Sequence, residues 1–129
     1  MSKLIHVAVG VIQDKNQRIL LAKRPEHLHQ GGKWEFPGGK VEKSETTSEA
    51  LIRELKEEVN LDVNATEPMM EIHHDYGDKQ VFLDIHWVTN FSGEAKGLEG
   101  QLVNWVEREQ LSQYEFPDAN KAILDKILS

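Results

Sequence analysis

The segment from residue 39 to residue 61 constrains the fold of this chain more than any other part. It reads GKVEKSETTSEALIRELKEEVNL. Glu54, Glu57 and Glu58 stand three and four residues apart, so on an α-helix they share an arc of roughly 100°. Aliphatic side chains fill the neighbouring arc, namely Leu51, Ile52, Leu55 and Val59. The segment therefore predicts a helix that anchors one side in a core and presents like charges on the adjacent side.

Capping signals define both ends of this helix. Thr46 and Glu49 form the T-x-x-E pattern of a capping box, which places the helix start just before the apolar pattern. Asn60 follows the last apolar turn, and asparagine is the most tolerant residue after glycine in a left-handed cap. Between Phe36 and Lys40, two adjacent glycines allow the backbone to pass close to a ligand. A glycine turn before a capped, carboxylate-faced helix favours a binding site.

On the residues alone, the carboxylate face has two interpretations. Like charges at this spacing repel one another on a helix unless a cation lies between them. Mg²⁺ takes oxygen ligands and is commonly held by a few carboxylates together with substrate phosphates. A solvated acidic surface helix is the alternative. The glycine turn, with the positive charge of Lys40, favours the metal.

Composition narrows the functional classes. A chain of 129 residues predicts one domain, residues 1–129, with a real core. Its net charge of −7 argues against binding a nucleic acid polymer, but not against a small phosphorylated substrate carried with its metal. Without cysteine, disulfides, thiol catalysis and cysteine-based zinc sites are excluded. No apolar run approaches the roughly 20 residues of a membrane span and no signal-peptide layout is present, so we expect a cytoplasmic protein without a membrane partner.

Hydrophobic periodicity predicts an α+β fold with a mixed β-sheet flanked by helices. The predicted strands are residues 4–12, 18–23, 34–36, 71–74 (an edge strand), 79–91 and 102–106. The first two flank a polar DKNQ segment and are interpreted as a hairpin. A helical turn is expected at 107–111. A last helix is expected at 117–128, with an apolar stripe formed by Ile123, Leu124, Ile127 and Leu128.

The helix segment resembles the signature of the Nudix family, Gx5Ex7REUxEExGU, where U is aliphatic. The matching residues are Gly39, Glu45, Arg53, Glu54, Leu55, Glu57, Glu58 and Leu61. Asn60 departs from the glycine of the signature, which is a conservative change at a left-handed cap. Shorter motifs extend the resemblance to MutT-like members over nearly the whole chain: KR before the loop, EFPGGK, LEGQ and FPDAN. This resemblance implies an α/β/α sandwich.

The resemblance also implies a metal site and its catalytic residues. The expected ion is Mg²⁺, with Mn²⁺ as an alternative, and the implied ligands are Gly38 (through its carbonyl), Glu54, Glu57, Glu58 and Glu99. Glu54 is the implied general base and Glu99 the second candidate. Arg53 would pin the geometry of the carboxylates, with Glu45 as a helper residue. Glu99 lies between glycines in a loop expected to close over substrate, although it could equally be an ordinary loop acid.

Five residues outside the signature match positions used around the nucleotide by MutT-like enzymes. They are Arg24, His29, Phe36, Asp78 and Asn120. The amide of Asn120 can donate and accept at once, which suits the adjacent oxo and N–H groups of a guanine edge. Its alternative role is an exposed residue in the first turn of the last helix. For Phe36 the alternative is core packing. The other histidines, including His73, His74 and His86, are expected to be strand or surface residues.

By this resemblance, the chain is expected to be a Mg²⁺-dependent nucleoside triphosphate pyrophosphohydrolase. Its small-molecule substrate would be 8-oxo-dGTP, and the ribonucleotide 8-oxo-GTP, cleaved at the β-phosphorus by a monomer that limits mutation. One alternative is a Nudix hydrolase of ADP-ribose or a dinucleoside polyphosphate, and the FPDAN segment with Asn120 favours the oxidised nucleotide instead. The other is a non-catalytic nucleotide-binding regulator. The complete set of glutamates with Arg53 argues against that regulator.

Overall fold

The computed structural model describes residues 3–28 and 31–129, which form seven β-strands and two α-helices. In chain order they are β1 (Lys3–Ile12), β2 (Ile19–Lys23), β3 (Trp34–Glu35), β4 (Gly38–Lys40), α1 (Thr47–Val59), β5 (Asp62–Asp75), β6 (Lys79–Ser92), β7 (Val103–Val106) and α2 (Lys121–Leu128). Two 3₁₀ helices, Arg108–Gln113 and Asp118–Asn120, precede α2. Within the described ranges, no helix is both long and apolar enough to cross a membrane.

The strands form two sheets. One has the order β4-β1-β6-β5, with β1 parallel to β6 and the other pairs antiparallel. The other is antiparallel, with the order β3-β2-β7. The first two strands were predicted to pair as a hairpin, and this prediction is wrong. Only one isolated bridge, between Gln13 and Ile19, joins these segments among the described residues. Both runs are too apolar to lie at an edge, and each enters the centre of a different sheet.

Strand β1 is buried on both faces and divides the core in two. Ala8 and Ile12 pack with α1, whereas Val9 and Val11 pack with the side that carries α2. A strand covered on both faces has an apolar run without polar alternation, which explains its sequence. The helices therefore cover opposite faces of the sheet, and the predicted α/β/α sandwich is confirmed.

Helix α1 begins and ends where the sequence predicts. Thr46 is its N-cap and forms a reciprocal capping box with Glu49. Asn60 ends the helix in the left-handed conformation, with φ 66° and ψ 29°. Leu51, Leu55 and Val59 of the predicted stripe are buried, as expected. Ile52, also predicted for this stripe, is 41% exposed because it lies at the outer margin of the apolar arc.

The other predicted elements are present with shifted bounds, but Gly38–Lys40, predicted as part of a turn, is strand β4 and pairs with β1. Strand β5 lies at a sheet edge as predicted, but it extends over 14 residues because it follows β6 through several register shifts. The predicted last helix begins as a 3₁₀ turn, and only its later part is α-helical. Within its apolar stripe Ile123 and Ile127 are buried, whereas Leu128 is 46% exposed at the chain end.

Candidate active site

The glycine turn brings the backbone of β4 into contact with α1. Gly38 pairs with Val9 and Gly39 with Ala8. A Cβ atom placed on Gly39 would lie 2.4 Å from Cδ of Glu54, and one on Gly38 would lie 2.0 Å from the carbonyl oxygen of Ala8. At Gly38 a side chain would meet backbone atoms, and at Gly39 it would meet the end of the Glu54 side chain. The two glycines therefore let the strand approach both its neighbouring strand and the Glu54 carboxylate.

Arg53 is the hub of the carboxylate cluster. Its Nε donates to Glu45 Oε2 at 2.7 Å and its Nη2 to Glu45 Oε1 at 2.8 Å. Nη1 donates to Glu54 Oε1 at 2.7 Å, and Nη2 also donates to the carbonyl of Lys40 at 3.1 Å. Planar guanidinium groups favour such paired contacts. One side chain thus connects Glu45 in the entry loop, Lys40 in β4 and Glu54 in the helix.

These contacts shift the pKa values of Glu45 and Arg53. The hydrogen bonds from Arg53, aided by the backbone N–H of Glu42, lower the pKa of Glu45 to about 2. The hydrogen bonds to Glu45 and Glu54 raise the pKa of Arg53 further above its usual value. Glu57 is more loosely held: its Oε2 lies 3.7 Å from Nη1 of Arg53 and its side chain is 59% exposed.

Glu58 is the most perturbed carboxyl group of the site. Burial, followed by a hydrogen bond with Glu54 and the negative charges of Glu54, Glu99 and Glu35, raises the pKa of Glu58 to about 9. Its Oε2 is buried and has no hydrogen-bond partner among the described residues. A buried, unpaired carboxylate oxygen beside like charges is costly unless a proton or a cation neutralises it. The donor set therefore fits a hard divalent cation.

The loop that carries Glu99 is docked on the end of α1. The backbone N–H of Leu98 and the side-chain amide of Gln101 both donate to the carbonyl of Glu58, at 2.9 and 3.1 Å. The backbone N–H of Lys96 donates to Val59. These bonds satisfy carbonyls that a helix end leaves unpaired. They bring Glu99 close enough to act on Glu58 electrostatically, while the Glu99 side chain stays exposed.

The carboxylates do not form a closed ligand shell as they stand. Among the residues described, no group of three acidic, histidine or cysteine side chains is arranged to enclose a metal ion. Nη1 of Arg53 lies 2.7 Å from Glu54 Oε1 and 3.7 Å from Glu57 Oε2, so two of the carboxylates are paired with its guanidinium. The exposed side chain of Glu57 has room to turn toward an ion.

A cleft with a volume of about 790 Å³ extends from the glycine turn between the two sheets. Its walls include Arg24, Phe36, Gly38, Asp78 and Asn120. These residues are far apart in sequence, and four of them were predicted to bind substrate. His29, the fifth predicted contact, lies outside the described residues. The cleft therefore brings together every predicted substrate contact that the structure describes.

Asn120 and Phe36 both line this cleft. Asn120 makes no side-chain capping bond at the start of α2, and it lines the cleft instead. The ring of Phe36 is buried and stacked on Phe116 at 5.3 Å, so it packs in the core, and the residue also contributes to the cleft wall. His86 is buried within the sheet, and His73 stacks on Phe82, so both are strand residues as expected.

Sequence reasoning missed Glu35. It lines the cleft and pairs with Arg24, whose Nη1 lies 3.0 Å from its Oε2. Burial raises the pKa of the Glu35 carboxyl, and the hydrogen bond from Arg24 partly opposes this. An acidic residue between two aromatic residues, two positions before the Pro-Gly-Gly sequence, was the available signal.

Comparison with known proteins is consistent with this geometry. The 8-oxo-dGTP diphosphatase of Proteus vulgaris is 42% identical over 98 residues, which cover 76% of this chain and 88% of that protein. The CTP pyrophosphohydrolase of Escherichia coli is 32% identical over 127 residues, covering 98% and 93%. A solved structure from work on MutT of Aliivibrio salmonicida and Vibrio cholerae has a TM-score of 0.87, 38% identity and 98% coverage of both chains.

A family model described as the NUDIX domain matches residues 8–126, which include both the carboxylate helix and the cleft. Members of this family generally use a divalent metal, in agreement with the buried, unpaired oxygen of Glu58. The chain therefore belongs to the Nudix family of hydrolases.

Proposed function

We propose that this chain hydrolyses 8-oxo-dGTP, and its ribonucleotide 8-oxo-GTP, to the monophosphate and pyrophosphate with Mg²⁺. The observation that carries the proposal is the single cleft in which Arg24, Asp78 and Asn120 meet the glycine turn beside Glu54. A relative with 42% identity bears the name of this activity. The chain would act as a monomer in the cytoplasm, where it removes oxidised nucleotides before they cause mutations.

Each part of the carboxylate cluster has a role in this proposal. Glu54, Glu57, Glu58 and Glu99, with the carbonyl of Gly38, would hold the metal. A divalent ion held there would supply polarisation of phosphate oxygens, neutralisation of developing charge and a more acidic water. Glu54 accepts the proton of the attacking water. Arg53, fixed by Glu45, restrains the Glu54 carboxylate, so that fewer unproductive orientations compete with the reactive one.

Base recognition is proposed for the part of the cleft that Asn120 lines. The amide of Asn120 can donate one hydrogen bond and accept another, which matches a carbonyl next to an N–H on a purine edge. Arg24 is held by Glu35 and contributes positive charge to the same wall. The base would therefore be selected by residues outside the signature helix.

CTP is a second candidate substrate. The observation in its favour is the 32% identity, over 98% of this chain, with a CTP pyrophosphohydrolase. A cytosine ring also presents a carbonyl and an exocyclic amine, which an asparagine amide can pair with. The pyrimidine is smaller than the oxidised purine, so the two substrates would differ in how much of the cleft they fill.

A kinetic panel decides between these substrates. With Mg²⁺ present, we expect kcat/KM for 8-oxo-dGTP to exceed the values for dGTP, CTP, ATP, ADP-ribose and a diadenosine polyphosphate by about 10-fold or more, which corresponds to roughly 1.4 kcal/mol of discrimination. If kcat/KM were highest for CTP, CTP would replace 8-oxo-dGTP as the proposed substrate, and the proposed type of reaction would stand. Nucleotide binding without hydrolysis of any compound would support the regulator instead.

The role of Asn120 has its own test. Asn120→Ala should raise KM for 8-oxo-dGTP and lower its advantage over dGTP by about 10-fold, because a lost pair of hydrogen bonds costs on the order of 1–2 kcal/mol. Asn16→Ala, in the exposed turn after β1, is the matched control and should leave both constants unchanged. A KM and a selectivity that both equal the wild-type values would remove Asn120 from base recognition.

A further inference from the structure

A buried hydrogen bond fastens the first turn of α1 to strand β6. Thr47, the first residue of the helix, donates from Oγ1 to Asp84 Oδ2 at 2.5 Å. Thr47 is only 9% exposed, and the side chain of Asp84 is 18% exposed. A hydrogen bond to a shielded carboxylate is among the stronger contacts available to a hydroxyl. The sequence pattern did not indicate this contact.

Each carboxylate oxygen of Asp84 also lies near a histidine. Nε2 of His86 lies 3.4 Å from its Oδ1, and Nε2 of His6 lies 3.7 Å from its Oδ2. The other ring nitrogen of His86 is 2.8 Å from Oγ1 of Thr66, which is 2.8 Å from Oγ of Ser48. Ser48 is the second residue of α1. Two hydroxyl groups of the first helical turn are therefore tied, through one polar network, to strands β5 and β6.

The pairing of the strands places this anchor in line with the carboxylate cluster. Ala8 pairs with Asp84 on one side and with Gly39 on the other, so the three residues form a row across the sheet. Asp84 and Gly39 are then two strand spacings apart, roughly 9.6 Å. Thr47 and Glu54 are seven residues apart on one face of the helix, a rise of roughly 10.5 Å. These two lengths agree, so α1 follows the row, with Thr47 at Asp84 and Glu54 at Gly39.

We propose that Asp84 is a positioning residue, which acts through Thr47 to set where Glu54 meets the backbone of Gly39. The part that concerns catalysis rests on the proposed function. Glu54 already touches Gly39 so closely that a Cβ atom there would lie 2.4 Å from its Cδ. The position of the helix therefore sets where the Glu54 carboxylate meets the backbone of β4, and without its anchor the helix can slide along the row or tilt. A displacement of about 1 Å at a catalytic group can lower the rate roughly 100-fold.

The test compares two substitutions of Thr47. Thr47→Val keeps the shape but removes the hydroxyl, and Thr47→Ser keeps the hydroxyl. We expect Thr47→Val to lower kcat for 8-oxo-dGTP by about 10-fold with KM within about twofold, since positioning and not substrate binding is lost. Its dissociation constant for Mn²⁺, measured by calorimetric titration without substrate, should rise by about the same factor. Thr47→Ser should restore both values.

A second variant tests whether Thr47 acts through Asp84. Asp84→Asn retains the volume of the side chain but removes its charge, and it should change kcat and the Mn²⁺ dissociation constant in the same direction. Thr47 Oγ1 also lies 3.4 Å from Nε2 of His6. If Thr47 and Asp84 act through their shared hydrogen bond, the double variant with Thr47→Val should be no worse than the more affected single variant. Fully multiplicative effects would overturn the proposed route through Thr47.

Ile19→Val separates positioning from a general loss of stability. Ile19 is fully buried in β2, and losing one methyl group there should lower Tm without changing kcat or Mn²⁺ binding. If Thr47→Val, like Ile19→Val, lowers Tm but leaves kcat and Mn²⁺ binding unchanged, Asp84 is a structural residue only and the inference fails. If the wild type hydrolyses none of the nucleotides, the proposed function fails, whereas the Mn²⁺ titrations still decide the role of the anchor.

Discussion

Arg53 holds Glu45 through two hydrogen bonds, of 2.7 and 2.8 Å, that join the helix to the loop before it. The same guanidinium reaches Glu54, so the position of the proposed general base depends on a residue in the entry loop. Bidentate pairs of this kind fix orientation as well as distance. The Nudix signature thus specifies a restraint between two parts of the chain, in addition to a set of charges.

Arg53→Lys should lower kcat by about 10- to 100-fold, because an ammonium group cannot hold Glu45, Glu54 and the Lys40 carbonyl at once. Steady-state kinetics with 8-oxo-dGTP provide the measurement. Arg18→Lys is the matched control, since Arg18 also binds a carboxylate, that of Asp14, at 2.9 Å in a turn remote from the cleft. Similar losses of activity in both variants would contradict the special role of Arg53.

Glu54→Gln should lower kcat by about 10²–10⁴-fold while the circular dichroism spectrum stays that of the wild type, because the amide cannot accept the proton of water. Glu99→Gln is the comparison. As a metal ligand on an exposed loop, Glu99 should mainly affect the Mg²⁺ concentration needed for half-maximal rate. A larger fall in kcat at saturating Mg²⁺ for the Glu99 variant would transfer the role of general base to Glu99.

The two glycines of β4 should respond differently to alanine. In Gly39→Ala the new Cβ atom meets the side chain of Glu54, which can turn away, so activity should fall while the fold is retained. In Gly38→Ala the new Cβ atom meets the backbone oxygen of Ala8, which cannot turn away. Strand β4 should therefore separate from β1, and Tm should fall. Thermal unfolding and kcat measured on both variants check this. A greater loss of Tm in Gly39→Ala would contradict the packing described here.

The raised pKa of Glu58 predicts the effect of pH on stability without metal. A group whose folded-state pKa is about 9, compared with 4.5 when unfolded, stabilises the fold fully below pH 4.5 and progressively loses that contribution as the pH rises toward 9. Metal binding removes the penalty by displacing the proton. We therefore expect Mg²⁺ to raise Tm more at pH 9 than at pH 6, measured against samples in EDTA.

Glu58→Gln is the control for this pH dependence. The amide has nearly the same shape but does not ionise, so Tm in EDTA should depend less on pH between 5 and 9, and the Mg²⁺ effect should shrink. An unchanged profile in this variant would assign the pH dependence to another group.

The sequence alone determined the local structure of the signature segment. The capping box of Thr46, the left-handed Asn60 and the buried stripe of α1 all follow from interactions between residues a few positions apart. Local patterns also located most strands, because periodicity reflects which face is buried. The hairpin prediction failed because periodicity reports burial and not pairing. An apolar run shows that a strand is central without showing which strands lie beside it.

Only the tertiary structure decided how distant residues meet. Neither the row that joins Gly39, Ala8 and Asp84 nor the pairing of Arg24 with Glu35 has a signature in local spacing, since each depends on strand order and register. The raised pKa of Glu58 likewise requires burial beside other carboxylates. Short-range preferences fix an element and its caps, whereas the contacts that shape this cleft arise from packing between elements far apart in the chain.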